Sequence, residues 1–426
     1  MKTYFLTAVF LVLSALGLAQ EQAYKMDNFY VQTKEARNRF EPKKDSVTTF
    51  DKVRVNVGGA FALQYQAITH ENNATPVLVD GVNTNQLYDI GNNFNLATAN
   101  LDLNVALYDG INLHLRTFLS SRHHNETYVK GGFLQIDKLD FVDKGFLKDF
   151  MKYASIKIGH DEINYGDAHF RRSDNASTMT NPFVGNWLMD AYATMVFAEV
   201  YYQRDGWLGM AGITNGRLNQ NANGGTSPSL YAKVGYDKQL NDDLRIRLTG
   251  SVYNTAETKR TDFYDGDRAG SRYYFVMENT AATSSANFRS GQIVPGFTNK
   301  LTAFMVNPFI KYKGLELFGI YENASGRTLA ETDRRTYQQY AAELLYRFGN
   351  DENLYFGGRY NGVIGETAAG EDIDVTRFNV GGGWFMTKNI LVKLEYVNQK
   401  YDGFAATSIF NGGKFNGFVA EAAIAF

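Results

Sequence analysis

The stretch Val53-Arg54-Val55-Asn56-Val57-Gly58-Gly59-Ala60-Phe61-Ala62-Leu63-Gln64-Tyr65-Gln66 alternates with a period of two. Val53, Val55, Val57, Phe61, Leu63 and Tyr65 share one face, and Arg54, Asn56, Gln64 and Gln66 share the other. Successive side chains of a strand point to opposite sides, so this is a strand with one apolar and one polar face. The pattern continues outward from here. Leu101, Leu103, Val105 and Leu107 oppose Asn100, Asp102 and Asn104; Ile111, Leu113 and Leu115 oppose Asn112, His114 and Arg116. Leu244, Ile246, Leu248 and Val252 oppose Arg245, Arg247 and Thr249, and Ile390, Val392, Leu394 and Tyr396 oppose Lys393 and Glu395. The chain closes on Phe418, Ala420, Ala422, Ile424 and Phe426.

The connections alternate in length. Tyr108-Asp109-Gly110, Arg204-Asp205-Gly206, Lys313-Gly314, Gly349-Asn350-Asp351-Glu352 and Thr387-Lys388-Asn389 carry the Asp, Asn and Gly of tight hairpins. Long connections cover roughly 67–95, 161–190, 216–228, 256–298, 364–373 and 401–413, and shorter ones near 121–129 and 324–333 join that side. The connection 140–152 has helical spacing at Phe146 and Phe150. The expectation is an all-β fold: a transmembrane antiparallel up-and-down β-barrel of about 16 strands, with long outer loops and short periplasmic turns. A sheet in lipid leaves no unpaired edge, so it closes on itself. Tyr65, Tyr236, Tyr312, Tyr321, Phe348 and Tyr396 cluster at segment ends, as interface girdles require. The competing fold is a soluble exported β protein whose apolar faces pack sheet against sheet.

Composition narrows the classes. The 426 residues contain no Cys, 40 Gly and 14% aromatics, with 43 Lys+Arg against 45 Asp+Glu. A disulfide scaffold is excluded, and no basic footprint for nucleic acid exists. No apolar run of about 20 residues follows the N-terminus, which excludes a helical membrane protein. Residues 1–19 read as a signal peptide, with Lys2, an apolar core and Gly17-Leu18-Ala19 before cleavage after Ala19 or Gln20; the alternative is a membrane anchor helix. Residues 20–50 read as a polar, solvent-exposed periplasmic extension, with a short amphipathic helix within 27–40 as an option. Residues 51–426 are the barrel.

The leader, the meander and the terminal strand Lys414-Phe415-Asn416-Gly417-Phe418-Val419-Ala420-Glu421-Ala422-Ala423-Ile424-Ala425-Phe426 resemble an outer-membrane porin. Tyr153-Ala154-Ser155-Ile156-Lys157-Ile158-Gly159-His160, a polar segment with Asn181-Pro182-Phe183, and strands ending at Asp205-Gly206 and Thr214-Asn215-Gly216 follow an order that resembles the phosphate-selective (polyphosphate and phosphate) porin family. The resemblance covers most of the mature chain through layout and weak motifs. It implies a water-filled channel in the bacterial outer membrane, a homotrimer, and recognition of Phe426 by the barrel-assembly machinery. The partners it implies are outer-membrane lipid and small hydrophilic or anionic solutes.

The polar face lines the lumen if the apolar face meets lipid. This register turns Arg54, Arg116, Lys157, Lys233, Arg245, Arg247, Lys311, Arg347, Arg359, Arg377 and Lys393 inward, with Asp102, Glu199, Glu316, Glu322, Glu343, Glu395 and Glu421. The excess of bases suggests a modest anion preference, the alternative being mixed charge that merely hydrates the channel. In porins the loop after the fifth strand commonly folds inward, which makes Arg171 and Arg172 constriction candidates, or else a solvated surface pair. Arg116, Arg245, Arg247, Arg359, Arg377 and Lys393 complete the pore-lining set, but no dense Lys cluster for phosphate is present. No cofactor is implied, and no P-loop or G-x-S-x-G elbow occurs. A metal at His160-Asp161-Glu162 with His169 competes with plain loop residues; His70, His114 and His123-His124 show no ligand spacing. Gly381-Gly382-Gly383 lies within a strand and marks bending or close packing. A barrel with surface hydrolase activity and a barrel with a lateral route for hydrophobic substrates remain rivals, whereas a plugged receptor needs a much longer N-terminal domain.

Overall fold

The computed structural model of the protein describes residues 32–42, 44, 50–119, 127–217, 227–265 and 269–426. The expected leader, the start of the extension and His123-His124 lie outside these residues.

Sixteen long strands form the wall. They are β1 (Arg54–Glu71), β2 (Thr98–Tyr108), β3 (Ile111–Leu119), β4 (Thr127–Ile136), β5 (Ala154–Glu162), β6 (Thr194–Arg204), β7 (Trp207–Thr214) and β8 (Ser229–Gln239). They continue as β9 (Leu244–Thr255), β10 (Lys300–Tyr312), β11 (Leu315–Arg327), β12 (Arg335–Phe348), β13 (Leu354–Glu366), β14 (Asp372–Thr387), β15 (Ile390–Asp402) and β16 (Lys414–Ala425). Each pairs antiparallel with its sequence neighbour, and β1 pairs with both β2 and β16, so the sheet is closed. Ala60 faces Ala425 across the seam, and the Phe426 and Gly59 backbones exchange two hydrogen bonds of 3.0 Å. The tight connections follow the expected residues: Asp205 and Gly206 both take positive φ, 52° and 91°, the type I′ hairpin geometry that suits the strand twist. A single helix turn, α1 (Lys148–Met151), occupies the expected helical connection.

The expected register holds on both faces. Val53, Val55, Val57, Phe61, Leu63 and Tyr65 are exposed on the exterior, as are Leu248, Leu394, Phe418 and Ile424. Tyr108, Trp207, Tyr312, Tyr346 and Phe348 ring the short-turn end. Gln64, Gln66, Arg116, Arg247 and Lys393 are buried inside. No helix among the described residues is long and apolar enough to cross a membrane.

The interior departs from a polar, open lumen. Two long connections, 163–193 and 256–299, contribute buried residues that pack with inward side chains of the wall. Trp187, Leu188 and Met189 join Met305, Phe309 and Phe318 in this inner core, and Tyr253 stacks on Phe263 with ring centroids 4.0 Å apart. The glycine run on β14 serves close packing, as expected: a Cβ at Gly383 would lie 2.4 Å from the Tyr355 ring, whose hydroxyl donates to the Pro182 carbonyl at 2.9 Å.

One expectation is corrected. Within the extension, residues 32–42 are not a solvent-exposed tail: Gln32, Lys34, Ala36 and Phe40 are buried. Of the span 27–40, residues 27–31 lie outside the described residues, and 32–40 contain a 3-10 turn at Lys34–Ala36 in place of an amphipathic helix. Polar composition misled here because the interior of this barrel is itself charged and takes polar side chains as partners.

Candidate functional site: the barrel interior

The segment 163–193 is held by the inward cations and acids of the wall. Arg171 donates to Glu316 at 2.5 Å and also pairs with Glu343; Glu316 in turn accepts from Arg347 at 2.9 Å, and Glu343 from Arg359 at 2.7 Å. Arg359 donates to the Gly185 carbonyl at 2.9 Å, and its guanidinium stacks 3.9 Å from the Trp187 ring. Lys393 bridges Glu421 at 2.6 Å and the Phe183 carbonyl at 3.0 Å. Arg377 donates to the carbonyls of Asn186 (2.5 Å) and Gly291 (3.0 Å). Glu395 accepts from the Val184 N–H at 2.6 Å and the Tyr273 hydroxyl at 2.5 Å. These are charge-assisted bonds to backbone and side chains that the loop would otherwise bury unpaired, which is why an irregular segment can lie inside the barrel.

Residues 32–42 and Lys44 form a strap across the short-turn end. Lys34 bonds Asp351 at 2.9 Å, Arg37 lies 3.5 Å from Glu352, and Lys44 bonds Asp137 at 2.9 Å. Phe40 packs edge-on against Phe170 and Phe309, under the Arg247 guanidinium 4.2 Å away. Glu41 meets Lys233 and Arg247 at 2.6 Å each, and the same two cations hold Asp167 of the inward segment at 2.7 and 2.8 Å. Burial pushes the Glu41 carboxyl up, but Arg247 and Lys233 outweigh it and hold it at about 2. The same two cations hold Asp167 well below the usual carboxylate range against its own burial. His169, which shares a 3.1 Å contact with Asn164, is pushed down to about 3 by burial and by Lys233.

A cavity of about 120 Å³ remains between the strap, the segment 163–193 and the inner faces of β4, β5 and β6. Phe133, Tyr153, Phe170 and Tyr201 give it aromatic sides, and Arg39, Lys157, Glu162 and Glu41 are its charged groups. Glu41 is paired as described. The Lys157 ammonium lies over the Phe133 ring at 4.0 Å and the Phe197 ring at 5.1 Å, and meets no carboxylate among the described residues.

The expected site residues therefore fall into groups. Arg171 and Arg172 are buried inside the barrel, which excludes the solvated surface pair; Arg172 sits 2.6 Å from Asp190 with its guanidinium 3.8 Å from the Tyr192 ring. Arg116 bonds Asp102 at 2.7 Å and Asp174 at 3.0 Å. Arg247, Arg359, Arg377 and Lys393 are likewise engaged, and Arg245 is half-buried near the short-turn end, 2.6 Å from Asp237. Sequence reasoning missed Arg39, Phe40 and Glu41; Ala36 and Phe40, apolar residues four apart in a polar run, were the available signal. Among the described residues no group of three His, Asp or Glu is placed to hold a metal.

No family model and no curated protein matches the chain. Solved barrels do. OmpT of Vibrio cholerae in its trimer form is 13% identical, with 88% of this chain and 100% of that chain covered and a TM-score of 0.51. The anion-selective porin of Comamonas acidovorans is 12% identical over 88% and 100%, with a TM-score of 0.51. The outer membrane channel DcaP of Acinetobacter baumannii is 12% identical over 89% and 100%, with a TM-score of 0.52. The shared property is the fold: the closed antiparallel barrel of bacterial outer-membrane proteins.

Proposed function

We propose that the protein is an outer-membrane porin that passes small hydrophilic solutes along the inner face of β4–β6. The observation that carries this reading is an exposed apolar belt around a closed barrel whose inward residues are charged. Val234, Leu248, Phe356, Leu394 and Phe418 are exposed on that belt, and a soluble protein would not leave so extensive an apolar surface in water. The barrel architecture shared with the Comamonas and Acinetobacter channels is consistent with it.

The finer reading is an anion preference. Most inward cations are neutralised by partners, so the preference is a modest one that rests on Lys157 and Arg39, the cavity cations that meet no carboxylate among the described residues and outnumber the unpaired Glu162 beside them by one. Arg245, Arg247, Arg359 and Arg377, the residues expected to stack for phosphate, are all engaged with protein groups, so the proposal extends to small anions in general. A homotrimer, and recognition of the exposed Phe426 by the assembly machinery, belong to the same proposal. The test is reconstitution in planar bilayers with a salt gradient. Discrete conductance steps with a reversal potential on the anion side are expected. A cation-side potential overturns the preference, and absence of conductance from correctly folded protein overturns the channel.

A further inference from the structure

Among the described residues, buried carboxylates of the interior are held by cations, as Glu316 and Glu343 are, or by hydrogen bonds, as Glu199 and Glu322 are, and Glu162 stands apart from both groups. Glu162 is 7% exposed, lines the cavity, and has a buried Oε2 with no hydrogen-bond partner. Two other buried carboxylate oxygens lack hydrogen bonds, on Asp174 and Glu421, but each has a lysine ammonium near it, at 3.5 Å from Lys130 and 2.6 Å from Lys393. Glu162 has no such cation among the described residues. On the same strand and the same cavity, Lys157 has no anion among the described residues, and Arg39 enters from the strap with none among them either. Glu162 is buried, Lys157 half-buried and Arg39 exposed. A buried charge left alone is costly, and a site with unpaired charges of both signs is complementary to a molecule carrying both.

We infer that the cavity is a binding station for a small zwitterion of the α-amino-acid class, an inference that deepens the channel reading by naming a solute. The ligand ammonium bonds Glu162, its carboxylate meets Lys157 with Arg39 beside it, and its carbon skeleton lies between the Phe133 and Phe170 rings. Aromatic faces suit both the skeleton and the ammonium. The size is of the right order: a dry cavity of roughly 150 Å³ takes benzene with its six non-hydrogen atoms, so one of about 120 Å³ takes about five, which limits the solute to the smallest amino acids, glycine and alanine. A purely anionic solute would leave Glu162 unsatisfied and add repulsion, and a purely cationic one would do the same at Lys157.

Equilibrium dialysis of isotope-labelled L-alanine against the folded mature chain in detergent micelles tests this without requiring conduction. Propionate and ethylammonium serve as singly charged competitors, and heat-modifiable migration verifies folding of each variant. Saturable alanine binding is expected, with both competitors at least about tenfold weaker, since one charge-assisted bond contributes that much. Glu162→Gln and Lys157→Gln should each weaken alanine about tenfold or more, and Lys157→Arg should retain most of the affinity. No saturable binding, propionate competing as well as alanine, or unchanged affinity in both Gln variants overturns the inference. Bilayer conductance of the same preparation separates the two readings: current without alanine binding sinks only the zwitterion site, and binding without current supports the site while sinking the channel.

Discussion

Lys233 of β8 places its ammonium 2.6 Å from Glu41 of the strap and 2.7 Å from Asp167 of the inward segment. One wall cation thus ties together two elements that are distant in sequence, and Arg247 repeats the arrangement 2.6 Å from Glu41 and 2.8 Å from Asp167. Deleting residues 32–44 removes the Glu41 half of this cluster and uncovers the short-turn mouth. Single-channel conductance should rise relative to the intact chain, and an unchanged conductance would show that the strap does not obstruct the path.

Arg171 should be costly to remove. It satisfies Glu316 and Glu343, both buried, and its loss leaves each with one arginine instead of two. Breaking a buried pair costs about 3–5 kcal/mol. Arg171→Met should lower unfolding stability in lipid vesicles by that order, whereas Arg204→Met, at an exposed pair with Asp205, should change it by less than about 1 kcal/mol.

The neighbours Lys233 and Val234 point to opposite sides of β8. Val234 is among the most exposed apolar residues of the belt and faces Gly209 and Gly250 across the ladder. Val234→Arg should destabilise the barrel by about 2–4 kcal/mol if that position lies near the bilayer midplane, read from folding equilibria in vesicles. Val234→Leu should be close to neutral.

Acid should loosen the strap and the inward segment. Glu41 falls from its ordinary 4.5 to about 2, so its contribution is complete above about pH 4.5 and is lost as pH falls through about 2. His169 falls from 6.5 to about 3, so the docked state resists a proton that the undocked state accepts, and stability declines from about pH 6.5 toward 3. Proteolysis within 32–44 should therefore be slow at pH 7 and accelerate below about pH 4. Equal protection at pH 7 and pH 3 would contradict this.

The wall was legible because lipid on one side and polar groups on the other impose strict alternation, as Val53–Gln66 displays. Local chemistry also placed the hairpins, with Asp205-Gly206 as the plainest case. The partnerships inside were not legible. Arg359 and Lys393 were read as facing water, yet their partners are the Gly185 and Phe183 carbonyls, more than 170 residues away in sequence. Backbone carbonyls leave no trace in composition, and loop conformation is set by contacts that only closure of the barrel brings together. The polar strap was misread for the same reason: Asn38, Lys34 and Arg37 find partners in Glu316, Asp351 and Glu352, which leaves Lys34 buried and the other two half-buried.

The position of the strap in the chain carries a consequence for assembly. Lys34 belongs to the earliest described segment, yet it bonds Asp351, 317 residues downstream, and its N–H reaches the Lys388 carbonyl in the β14–β15 turn. Neither docking site exists until β12 has paired with β13 and β14 with β15, late in the order of the chain. A segment made before every strand of the wall therefore waits for strands made near its end, and its docking marks a cylinder whose later hairpins are in place.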